Sequence, residues 1–173
     1  MKFRKIYIAI TLFILLYSYE NSLFAQKCKF NVDEVNPISG ERLIKTATIK
    51  APNLRIAFCR KGDELFIESN IRFSGEKNSK IDSGLVITFR LEDNTLVKFR
   101  TKEITYPTSE ANQYGIWTYY YLFFYGSKED FELLSKVKPK AAAISADNKD
   151  FYAEPIDKLF LNIPEFVSCL LLN

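Results

Sequence analysis

Trp117, Tyr119, Tyr121 and Tyr125 fall on one face of the run 115–125 (GIWTYYYLFFY) when it is read as a strand with a period of two. Flat rings at alternate positions are suited to stacking on a sugar ring, or on an apolar surface of another protein. Phe123 completes that face. The opposite one holds Ile116, Tyr120, Leu122 and Phe124, with Thr118 as its only small polar residue. A strand apolar on both sides is ordinarily a central strand packed on both sides. Core packing is therefore the favoured reading, and an exposed aromatic face, uncommon on a monomer, is the functional alternative.

The chain contains no His, which removes the usual general base and the commonest metal ligand. Ser–His and Cys–His nucleophile pairs are thereby excluded. Cys28, Cys59 and Cys169 are too few and too far apart for a four-cysteine zinc site, and no Asp-rich loop has calcium-binding spacing. Gly-rich phosphate loops are missing as well, so no metal and no cofactor is expected. Paired carboxylates could serve a glycosidase. Yet Glu34, Asp63, Glu92, Asp93, Asp130 and Asp147 fall at turns or outward positions, where solvated charge is the ordinary reading. The chain does not read as an enzyme.

The elements that would position the aromatic run follow from period and turn chemistry. Residues 27–32 alternate weakly, as a first edge strand would, and 33–40 are loop chemistry. Residues 42–50 read as one strand. Leu54, Ile56 and Phe58 share a face, as do Leu65, Ile67, Ile71 and Phe73, and a two-residue turn at Lys61-Gly62 pairs the two sets. That register sets Phe58 opposite Leu65, Ala57 opposite Phe66 and Arg55 opposite Glu68. A second hairpin spans 85–101, and its apolar residues share parity, which a three-residue loop Glu92-Asp93-Asn94 accommodates. Asn94 then takes the left-handed conformation, Phe89 meets Val97 and Ile87 meets Phe99.

Residues 102–113 read as polar and irregular. Ser127 to Asp130 form a capped helix start with Phe131 and Leu134 inward, and Pro139 ends that helix. A last hairpin is expected across 141–156, around Asp147-Asn148-Lys149. Ile156, Leu159, Phe160, Ile163, Val167, Leu170 and Leu171 recur at three and four, an amphipathic helix that Pro164 should kink or break. The expected fold class is α+β. Its core is a mainly antiparallel β-sheet, a sandwich or open barrel of hairpins, with a short helix and a C-terminal helix packed on it.

Residues 1–25 have the layout of a secretory signal peptide. Lys2, Arg4 and Lys5 precede an apolar run from Ile6 to Tyr17, and Leu23-Phe24-Ala25 lead to a cut before Gln26. The apolar run is shorter than the ~20 residues of a spanning helix. Cys28 is not a lipidation site, because Gln26 and Lys27 precede it rather than small residues. Residues 26–173 then form a single β-rich domain. Taking the signal's three basic residues and one acidic residue from totals of 24 and 21 leaves 21 and 20. That near-neutral balance provides no field for nucleic acid or anionic lipid, and no second apolar run inserts in a membrane. Export makes disulfides permissible, and Cys28–Cys169 is the expected pair, since domain ends often lie close in space.

The layout Cys28-Lys29-Phe30…Asp33…Ser39-Gly40…Thr46, followed by hairpins, a short helix and a late Cys, resembles small exported proteins of the phylum Bacteroidota. In those proteins the residues before the glycine are more often Phe-Thr, where this chain has Pro37-Ile38-Ser39. The resemblance implies export and brings no activity and no site residue. The leading expectation is an exported, periplasmic or secreted, non-catalytic binding or interaction module. Its partner would be a glycan or another envelope protein. A structural accessory of the cell envelope and a carboxylate-based hydrolase are the alternatives.

Overall fold

A computed structural model of the chain describes residues 28–146, 149–153 and 158–173. Residues 1–25, read as a signal peptide, the Asp147-Asn148 turn and Ile156 lie outside the described residues. The described strands are β1 (Val32–Val35), β2 (Arg42–Lys45), β3 (Ile49–Ala51), β4 (Leu54–Lys61), β5 (Glu64–Ser74) and β6 (Val86–Leu91). They continue with β7 (Leu96–Thr101), β8 (Thr108–Asn112), β9 (Gly115–Tyr125), β10 (Pro139–Ala146) and β11 (Lys149–Ala153). Helix α1 spans Lys128–Lys136, a 3-10 turn spans Lys158–Asn162, and helix α2 spans Ile163–Leu172.

All the strands join one antiparallel sheet in the order β1-β2-β4-β5-β9-β7-β6-β10-β11, with β3 beside β4 and β8 beside β9. The sheet curls until the two halves of its inner face meet. Phe58 of β4 lies 6.1 Å from Phe89 of β6, and Phe73 of β5 lies 5.0 Å from Phe151 of β11. The sheet stays open, since β1 and β11 at its ends do not pair with each other. At one end of the fold α1 sets Phe131 against Phe99 at 4.8 Å, while α2 buries Ile163, Val167 and Leu170. The fold is α+β with the expected antiparallel core and two helices.

Local chemistry explains most of the elements. In the 86–101 hairpin Phe89 pairs with Val97 and Ile87 with Phe99, and Asn94 has φ 68°, all as expected. Ser127 caps α1 by accepting from the Asp130 amide, and Asp130 accepts from the Ser127 amide in return. Pro164 stands at the start of α2, the one place in a helix where its missing donor costs nothing. Gly126 joins β9 to α1 where a Cβ would come within 2.4 Å of the Phe99 ring. A larger residue there must displace a fully buried aromatic.

Four expectations are corrected. The first hairpin turns at Gly62-Asp63, so Phe58 pairs with Ile67, Ala57 with Glu68 and Arg55 with Asn70. Only Gly62 of the two turn residues has positive φ, 57°, so the glycine serves the first turn position rather than the second. The slip is two residues, an even number, so every side chain keeps its face. The edge strand lies at Val32–Val35, not 27–32, because Asp33 is held by Arg42 across the β1–β2 pair at 2.7 Å. The 42–50 segment breaks into β2 and β3 around Thr46, whose buried hydroxyl accepts from the Phe58 amide. Residues 108–112, read as irregular, form β8.

Cys28 and Cys169 are joined, with their Cα atoms 5.6 Å apart, so the segment before β1 is fastened to α2. Cys59 stays free and buried on β4.

Candidate functional site

β9 is central in the sheet, with β5 along one side and β8 and the end of β7 along the other. Its even-numbered side chains from Thr118 onward are inside: Thr118, Leu122 and Phe124 are fully buried and Tyr120 nearly so, while Ile116 at the start of the strand is exposed. Thr118 is tolerated there because its hydroxyl donates to the Gly75 carbonyl and accepts from the Lys77 amide. Tyr120 donates to the Ser79 carbonyl at 2.6 Å. These two residues fasten the 75–85 loop to the strand.

The odd-numbered face is wet. Tyr121 is 48% exposed and Phe123 39%, and Trp117, Tyr119 and Tyr125 are partly exposed. The favoured expectation of packing on both sides is thus corrected for this face: the fold has one apolar interior, and no described element covers β9 from outside. All four aromatic residues singled out from the sequence share the exposed face, but they are not equivalent. The Arg72 guanidinium lies 4.4 Å from the centre of the Trp117 ring, and the Lys102 ammonium 3.9 Å from that of Tyr125. Phe66 packs against both Phe123 and Tyr125, at 5.9 and 6.0 Å. Burial, then the charge of Glu64, raises the Tyr125 phenol above its ordinary range.

Tyr119 and Tyr121, left between these two clusters, line a cleft of about 280 Å³. Pairing brings its other walls together: Tyr121 opposes Asn70, Tyr119 opposes Arg72, and Asn70 opposes Arg55. β8 adds Glu110, opposite Trp117. Lys45 and Glu68 close the far side with a 2.6 Å ion pair, so the Arg55–Glu68 pair expected from the sequence is replaced by Lys45–Glu68. The side chains of Arg55, Asn70 and Glu110 make no hydrogen bond or ion pair among the described residues. Arg55 presents donors, Glu110 acceptors and Asn70 both, beside two phenol rings.

Sequence reasoning missed Arg55, Asn70 and Glu110 as site residues. The signal for Asn70 was its parity, since it shares a face with Arg72 and Phe66, but only the β5–β9 register sets it beside Tyr121. Three larger cavities look less like sites, and the smallest of them, about 380 Å³, runs along the 79–85 loop, where the Ser79 carbonyl is already bonded to Tyr120. Another, of about 640 Å³, lies by the start of α1, and its Arg60 and Lys102 are already engaged with the Gly62 and Leu170 carbonyls and with Glu64. The third, about 920 Å³, lies beside the disulfide and includes the Asp33–Arg42 pair.

Cys59 does not supply a nucleophile. Burial first, then the neighbouring Glu68, pushes its thiol up to about 12, so the thiolate is scarce near neutrality. The native protein should show no reactive thiol toward a disulfide reagent at about pH 8, and one equivalent after denaturation without reductant. Rapid native labelling would contradict that burial. Among the described residues no group of His, Cys, Asp or Glu is arranged to hold a metal ion.

No protein-family profile matches the chain, and no significant similarity links it to a curated protein or to a solved structure.

Proposed function

We propose that this chain is an exported, non-catalytic binding module whose ligand seats on the outer aromatic face of β9. The observation that carries this reading is the juxtaposition of half-buried Tyr119 and exposed Tyr121 with three polar side chains that have no partner among the described residues. Arg55 and Glu110 are exposed and Asn70 half-buried, so all three are free to exchange water for a ligand, and binding sites gather a few such polar groups around an apolar surface. The ligand is a glycan or a surface of another envelope protein. Export draws support from the signal-like residues 1–25, from the layout shared with exported Bacteroidota proteins, and from the Cys28–Cys169 bond, which suits an oxidising compartment. No helix among the described residues is long and apolar enough to cross a membrane.

Glu68 and Glu110 both line the cleft, which is the observation that would favour a hydrolase. Glu68 is committed to Lys45 at 2.6 Å, and that engagement favours binding over turnover. Chemical-shift mapping of the exported protein against envelope glycans and envelope proteins tests the reading. Shifts should gather on Tyr119, Tyr121 and their cross-strand neighbours and disappear in Tyr121→Ala. Shifts confined to the helices would overturn it, and release of reducing sugar would replace binding with hydrolysis. N-terminal sequencing of exported material should begin at or near Gln26, and retention of Met1 would refute the signal assignment.

A further inference from the structure

We propose that the cleft between β4, β5, β8 and β9 holds one neutral pyranose unit of a glycan chain. This rests on the binding reading above and adds the ligand's chemical class. The cleft's volume of about 280 Å³ falls just below the roughly 300 Å³ at which small-molecule sites begin, which leaves room for a single ring and not for a larger ligand. Two phenol rings side by side on alternate positions of β9 give the C–H face of a pyranose an apolar floor. Around that floor stand Arg55, Asn70 and Glu110. A sugar hydroxyl both donates and accepts, so a donor, an acceptor and an amide that is both suit it without a change of charge.

Charge decides against an acidic sugar. Lys45 and Glu68 neutralise each other in their ion pair, and Arg55 and Glu110 leave no surplus of either sign. A uronic acid would bring its carboxylate beside two glutamates with only one uncommitted cation, where like-charge contact is unfavourable. Lys45, Glu68 and Glu110 weigh against a protein partner, since Lys and Glu are depleted at protein interfaces. Arg72 over Trp117 further interrupts the apolar row such a partner would need.

Isothermal titration of the exported protein with cellohexaose, xylohexaose, mannohexaose and hexagalacturonate tests this. At least one neutral probe should bind, and hexagalacturonate should bind at least about tenfold more weakly than that probe. Arg55→Ala, Asn70→Ala and Tyr121→Ala should each weaken the neutral probe by about tenfold or more, with thermal melting confirming that each variant folds. Leu133→Ala, exposed on α1 and away from the outer face of β9, should change affinity by less than about threefold. A preference for hexagalacturonate overturns the inference. So does binding that survives Arg55→Ala and Asn70→Ala but is lost in Trp117→Ala, although the aromatic face would then stand. If none of the four probes binds, the inference falls. The broader reading survives that result if a purified envelope protein shifts Tyr119 and Tyr121, and falls with it if ligands perturb only other surfaces.

Discussion

Replacing Cys28 and Cys169 together by Ala should lower the free energy of unfolding by up to about 5 kcal/mol, the chain-entropy value for so long a loop. The bond spans a sequence separation of 141, so its loss frees nearly the whole described domain to expand when unfolded. The native structure should survive the change. Ile163, Val167 and Leu170 remain buried under α2, and the sheet ladder does not pass through either cysteine. Urea titration of the oxidised protein and the double variant measures the effect. The midpoint should fall while the native circular dichroism spectrum stays the same. Coincident midpoints would show that the bond contributes nothing to stability.

Phe124→Ala and Tyr121→Ala, three residues apart on one strand, should differ several-fold in their effect on stability. Phe124 is fully buried, pairs with Ile67 and Thr101 on flanking strands, and points into the single core. Removing its ring should cost about 3–5 kcal/mol through lost burial and the cavity left behind. Tyr121 is 48% exposed on the other face, with no hydrogen bond from its hydroxyl among the described residues, and its truncation should cost less than about 1 kcal/mol. Thermal melting of the two variants decides the matter. Equal losses would mean that the outer face is covered and that no binding surface exists there.

What the sequence discloses depends on whether local chemistry has one solution. The 86–101 hairpin was legible because shared parity demanded an odd loop and Asn94 could supply its left-handed residue. The α1 start was legible for the same kind of reason, a cap that only Ser127 and Asp130 could build. The first hairpin was not. Gly62 satisfies a tight turn at either of two positions, and both keep the apolar faces intact, so pattern alone could not choose. β8 was invisible because all five of its residues are exposed, and only backbone pairing with β9 makes it a strand. The wet face of β9 was misread for a related reason. A run of large aromatic residues carries the same signal whether it is packed or presented, and burial is decided by what the rest of the chain has left to cover it. The cleft itself draws on β4, β5, β8 and β9, so its assembly is a property of strand order rather than of any one stretch.

The Cys28–Cys169 link also decides how the protein would behave under tension. A force pulling on the chain outside the two cysteines passes directly through the sulfur atoms and leaves the sheet between them unloaded. The oxidised domain therefore acts as a short, nearly inextensible staple. Once the bond is reduced, the same pull would reach the strands, and unravelling the 141 intervening steps would release roughly 480 Å of contour.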